Sequence, residues 1–186
     1  DGLDGLDPTV SWEGSSEVGD LDVSYGVEAS VRATSDLASL PKSVWGKVAA
    51  SVGNGWGVSA RAESDRIDAL VDNTQLELEA DQPDAQINLR LTASASGVKE
   101  VQATKGLEAG GGLVEIQPRY NVETSESDVT IRYDNEGTNL ELTASADEQE
   151  LKLSQQVDDD NKLSPTINNR GDVSLAWERR LGDEST

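Results

Sequence analysis

The sequence has no cysteine, no histidine, no methionine and no phenylalanine. Without cysteine there is no disulfide framework, no thiolate nucleophile and no soft-metal site, and the redox compartment is left open. Without histidine the usual general base near neutral pH is missing, and with it the imidazole of a Ser-His-Asp relay. No Gly-x-Ser-x-Gly elbow is present. Gly110-Gly111-Gly112 lacks the Lys-Ser/Thr that completes a phosphate-binding loop, and reads as a tight hairpin turn instead. Aromatic residues make up only 4% of the chain, four Trp and three Tyr. Paired carboxylates on a β-scaffold can hydrolyse glycosides, but such clefts need aromatic platforms for sugar rings, and no carboxylate pair stands out. These absences argue against an enzyme.

Basic residues are scarce as well. Fifteen Lys and Arg stand against 36 Asp and Glu, a formal net charge of −21. Such a field repels nucleic acid and anionic lipid, and favours a well-solvated surface; a narrower use is an acidic face for a basic partner or for divalent cations. No apolar run approaches the ~20 residues of a membrane-spanning helix. A membrane barrel has short alternating strands and is harder to dismiss. Against it stand the missing aromatic girdles and the charges read on both faces of segments such as Leu76–Glu79 and Asn139–Thr143. The chain opens on Asp1, as expected of a processed product or the ordered part of a longer precursor.

Apolar residues alternate with polar ones along most of the chain, the period of half-buried strands. Val23, Tyr25, Val27 and Ala29 form one run; Val44, Val48, Ala50 and Val52 form the next. Ile87, Leu89, Leu91 and Ala93 follow, then Val114 and Ile116, then Leu140, Leu142 and Ala144. Short Gly/Asn/Asp loops separate the runs. The pattern predicts an all-β fold, an antiparallel meander of about twelve strands forming a barrel or a two-layer sheet. Residues 8–186 read as one domain preceded by an arm at Asp1–Asp7. Thr34–Lys42 and Ser64–Asn73 fit either loops or a helical turn. Asn88–Ala95 returns as Asn139–Ala146 with only Arg90 exchanged for Glu141, which suggests an internal duplication of about four strands.

Calcium is the cofactor this composition permits, since it takes clustered oxygen ligands. Asp158, Asp159, Asp160 and Asn161 are the candidates, with Asp1, Asp4 and Asp7 of the arm, although neither group matches an EF-hand loop, and a solvated turn is the plainer reading. Trp45 falls out of phase with Val44, Gly46 and Val48, and is flanked by Lys42 and Lys47. An indole on a polar face marks a contact surface, so Lys42, Trp45 and Lys47 are the candidate interaction residues; the alternative is a strand covered on both faces. Trp12, Trp56 and Trp177 are in phase with apolar neighbours and are expected in the core.

Leu40-Pro41-Lys42-Ser43-Val44-Trp45-Gly46-Lys47, Val101-Gln102-Ala103-Thr104-Lys105-Gly106, Pro118-Arg119-Tyr120-Asn121-Val122, and the stretch from Lys152 through Ile167 resemble acidic β-repeat proteins of marine algae with red-lineage plastids, such as diatoms and dinoflagellates. The resemblance implies a targeted precursor and a place in the plastid, with secretion or another organelle as the fallback. It carries over no functional residue. The expectation is a non-enzymatic β-scaffold with protein partners, either a peripheral subunit of a photosynthetic complex or a self-assembling sheet like a pyrenoid coat. A small barrel carrying lipid or pigment is the alternative.

Overall fold

The computed structural model of the chain describes residues 9–30, 41–65 and 70–180. Thirteen strands run through them: β1 Thr9–Val18, β2 Leu21–Ser30, β3 Pro41–Val52, β4 Trp56–Ser64, β5 Thr74–Gln82, β6 Ile87–Ser94 and β7 Gly97–Ala109, then β8 Gly112–Asn121, β9 Glu126–Asn135, β10 Thr138–Ser145, β11 Gln149–Gln156, β12 Asn161–Asn168 and β13 Val173–Arg179. They form one antiparallel sheet whose strand order is the order of the chain. Among the described residues the helical content is one short α-helix, α1 Leu70–Asn73, and 3-10 turns at Gly53–Gly55 and Pro83–Ala85. The Asp1–Asp7 arm lies outside the described residues, as does most of Thr34–Lys42 and part of Ser64–Asn73.

The all-β meander expected from alternation is therefore present, but the expected closure is not. β1 and β13 end the strand order without pairing to each other, so the sheet is open and no barrel forms. The described strands all belong to that one sheet. Among the described residues no hydrophobic side chain is fully buried. What is buried is small: Gly26 and serines Ser30, Ser64, Ser154 and Ser164, each screened by larger neighbours. The physical reason is the chain's economy of bulk. Val, Leu, Ile and Ala on one side of each strand suffice to line a face, and the described strands all lie in one sheet.

Turn chemistry enforces the meander. Gly110 and Gly111 both take positive φ, 60° and 82°. That is the conformation a two-residue hairpin needs to match the twist of its strands, and L side chains adopt it poorly. The Gly110–Gly112 stretch is thus the turn its sequence predicts.

Two compact units divide the chain: residues 1–83 with 89–101, and residues 84–88 with 102–186.

Candidate docking face

In the second unit the register assigns every paired side chain to a face. Ile116 pairs with Ile131, Ile131 with Leu142, Leu142 with Leu151, Leu151 with Ile167, and Ile167 with Val173. Six strands thus contribute one unbroken row of branched aliphatic side chains. Beside it runs a second row, in which Val114 pairs with Tyr133, Tyr133 with Leu140 and Leu140 with Leu153, with Pro165 and Leu175 paired on the last two strands. A third, shorter row holds Pro118, Val129 and Ala144. No Asp, Glu, Lys or Arg belongs to these three rows. In the central row Ile116 and Leu142 are half-buried, and exposure grows toward the last strand, from 37% at Leu151 to 71% at Val173. Trp177 lies on the same face, 66% exposed, its indole N–H donating to Asn161 Oδ1 at 3.0 Å.

The first unit repeats the arrangement. Trp12 pairs with Val27 and Val27 with Val44; Val23 pairs with Val48, Val48 with Ala60 and Ala60 with Leu78. Trp12 and Tyr25 meet on this face with ring centroids 5.4 Å apart, tilted by 51°. Trp12 is 57% exposed, so Trp12 and Trp177 are not core residues. Phase placed them on the apolar face correctly, and both stay largely exposed there. Trp56 is half-buried.

Charge segregates to the opposite face. Leu76 and Leu78 point one way along β5 and Glu77 and Glu79 the other, facing Arg90 at 3.8 and 3.7 Å. Leu140 and Leu142 are likewise separated from Glu141. The charges read in the sequence on both faces of these segments therefore occupy one face. Arg132 sits between Glu141 and Glu115, its Nε donating to Glu141 at 2.6 Å and its Nη1 to Glu115 at 3.3 Å. The hydrogen bond to Glu141, then the charges of both carboxylates, push the guanidinium pKa above its ordinary value. Arg119 holds Asp128 through two nitrogens at 2.9 and 2.7 Å.

Trp45 belongs to this polar face. It pairs with Gly26 on one side and Glu63 on the other, and the indole lies over Gly26. A Cβ on Gly26 would stand 2.5 Å from Trp45 Nε1. The cation above the indole is the Arg61 guanidinium, 4.4 Å from the ring, with Arg61 also bound to Glu63 at 2.8 Å. Lys47 lies opposite Arg61 in the register. Lys42 is the extra residue of an irregularity between Ala29↔Pro41 and Glu28↔Ser43. The three residues share β3, and the cation over the indole comes from the neighbouring strand β4.

The Asp158 carboxylate is a hub of its turn. It accepts from the Asp160 and Asn161 backbone N–H groups at 2.9 and 2.8 Å and from the Asn161 amide at 2.8 and 2.9 Å. The Asp160 N–H is the main cause that holds its pKa below the ordinary value, with the Asn161 side chain next. Asp158 and Asn161 are thus engaged with each other. Two shallow grooves are lined by polar and charged groups. One of about 430 Å³ is bounded by Asp160, Lys162, Glu178 and Arg180; one of about 320 Å³ by Gln117, Arg119, Asp128 and Arg132. Among the described residues no helix is long and apolar enough to cross a membrane. No protein-family model matches the sequence, and no curated protein matches it.

Proposed function

We propose that this chain is a non-enzymatic β-scaffold that works by docking its apolar sheet face, rather than through a pocket. The observation that carries this reading is the face itself: three rows across β8–β13 without an ionised side chain, half-buried at Ile116 and Leu142 and rising to 71% exposed at Val173, in a chain of net charge −21. Contiguous apolar surface of this extent marks an interaction site. The complementary segregation of carboxylates leaves the other face to water. A lipid or pigment carrier would need an apolar cavity, whereas the grooves described above are lined by Asp, Glu, Arg and Gln. The resemblance to plastid β-repeat proteins makes an assembly in that organelle the setting for such a scaffold.

A duplicated origin accords with this reading. Arg90 and Glu141, the one exchange in the repeated octapeptide, each face opposite charge on the preceding strand: Glu77 and Glu79 for Arg90, Arg132 for Glu141. The exchange is thus compensated in place.

Oxidative side-chain labelling tests the docking reading. In the assembly isolated from its native source, Tyr133, Trp177 and Trp12 should be protected relative to the isolated chain, while Glu77 and Glu150 on the polar face stay reactive to carboxyl modification. Equal labelling of the three aromatics in both states would defeat it.

A further inference from the structure

The docking face needs an occupant, and the structure favours one. We infer that a second copy of this chain covers the apolar face of β8–β13, so that two sheets meet back to back in a two-layer sandwich. This inference rests on the docking-face reading and specifies its partner.

Area comes first. Two rows across six strands and a third across three, with strands about 4.8 Å apart and rows about 6.8 Å apart, give a footprint on the order of 500 Å². Pairing two such faces removes roughly 1,000 Å² from water, about the minimum area of a specific protein interface. Shape follows from identity: two copies of one sheet share one twist, and sheets of like twist pack aligned at about 30° with inner faces roughly 10 Å apart. Trp177, its N–H already engaged by Asn161, projects as a pre-oriented anchor of the kind that dominates interfaces.

Charge would be expected to forbid self-association in a chain of −21. The segregation of faces removes the objection. Back-to-back pairing places Glu115, Glu141 and Glu150 of both copies on the two outer surfaces. Those surfaces lie more than 10 Å apart, beyond the ~8 Å screening length of physiological salt.

Lipid is the competing occupant, and the height of the apolar band disfavours it. The outer rows of the three lie roughly 14 Å apart along the strands, against an apolar band of about 25 Å on lipid-facing barrels. The next row is interrupted by Asn135, Thr138 and Gln155, paired in succession. The unpaired edges of an open sheet would also go unsatisfied in hydrocarbon.

Sedimentation velocity of the full chain at 0.15 M salt, over a concentration series, tests the inference with two neighbouring substitutions. Ile167→Glu places a charge in the central row; Thr166→Glu, one residue earlier on the other face, sits opposite Lys152. The wild type is expected to dimerise at micromolar concentration. Ile167→Glu should weaken the dimer at least about 30-fold, and Thr166→Glu should leave it intact. Should Ile167→Glu lose its strand circular dichroism, Leu175→Glu, at a position 67% exposed, gives the same readout. A wild type that stays monomeric at about 100 μM, or a dimer indifferent to these face substitutions, overturns the second copy. In the monomeric case, flotation with phosphatidylcholine vesicles would leave the docking face standing with a lipid partner; no flotation and no hydrophobic-dye binding would overturn both readings.

Discussion

Gly26 is bare because the Trp45 indole fills the volume a side chain would take. The same cross-strand device recurs at Gly14, where the Tyr25 ring closes to 2.9 Å of the position of a Cβ. In β-sheets an aromatic laid across a glycine restores the contact that the missing side chain gives up. Gly26→Ala should therefore cost about 1–3 kcal/mol as the indole is displaced. In a Trp45→Ala background the same change should be neutral or stabilising by up to about 1 kcal/mol, since only the strand penalty of glycine remains. Urea unfolding of the four variants measures this coupling; simple additivity would show that the indole does not rest on Gly26. The out-of-phase position of Trp45 was legible from spacing alone. Its partners were not, because Arg61 and Gly26 reach it through register, which local sequence does not encode. Asp158 offers a second test. Its folded pKa lies below the ordinary 3.8, so its contribution to stability is present above the unfolded value and lost as pH falls through the folded one. A carboxyl titration followed by NMR should place its midpoint below 3.8 in the native chain, and Asn161→Ala should raise it.

At the scale of strands, the central ion ladder is carried by one cation. Arg132 on β9 stands between Glu115 on β8 and Glu141 on β10. Removing it leaves two carboxylates flanking a gap as well as deleting two attractive pairs. Its side chain is 42% exposed, which screens the interaction, so Arg132→Ala should destabilise by about 0.5–1 kcal/mol. Restoring a charge with Arg132→Lys should recover part of that loss, and Arg132→Gln should recover less; thermal melts at low salt separate the three. The strands themselves were legible in detail, since alternation through Leu140, Leu142 and Ala144 or Val23, Tyr25 and Val27 fixes both element and face. The ladder was not legible. Glu115, Arg132 and Glu141 are far apart in sequence, and only the hairpin registers bring them into line.

For the whole molecule the balance of charge decides the response to salt. Fifteen cations can neutralise at most fifteen of 36 carboxylates, so repulsion among the excess outweighs the ladders. The melting temperature should rise from low to moderate ionic strength, and a flat or falling curve would indicate that the carboxylates are held by bound cations. What the sequence left unread at this scale is layering. Period-2 alternation states which side of a strand avoids water, but not what lies against that side. Trp12 and Trp177 show the difference, being on the apolar face yet largely exposed. A barrel and an open sheet share the same alternation, and only the pairing of the terminal strands tells them apart.

The strand order has a kinetic meaning. Every strand pairs with its neighbours in sequence, and even a wide pair such as Thr9 with Ser30 spans a single hairpin. Most all-β chains fold slowly because distant segments must find one another before any contact rewards them. Here no such search is required. Each hairpin closes a short loop and offers an edge to the next, so order can spread strand by strand along the chain, in the manner of repeat proteins whose stability is a sum of nearest-neighbour increments. Such a sheet can form while the remainder of its chain is still being delivered, one turn at a time.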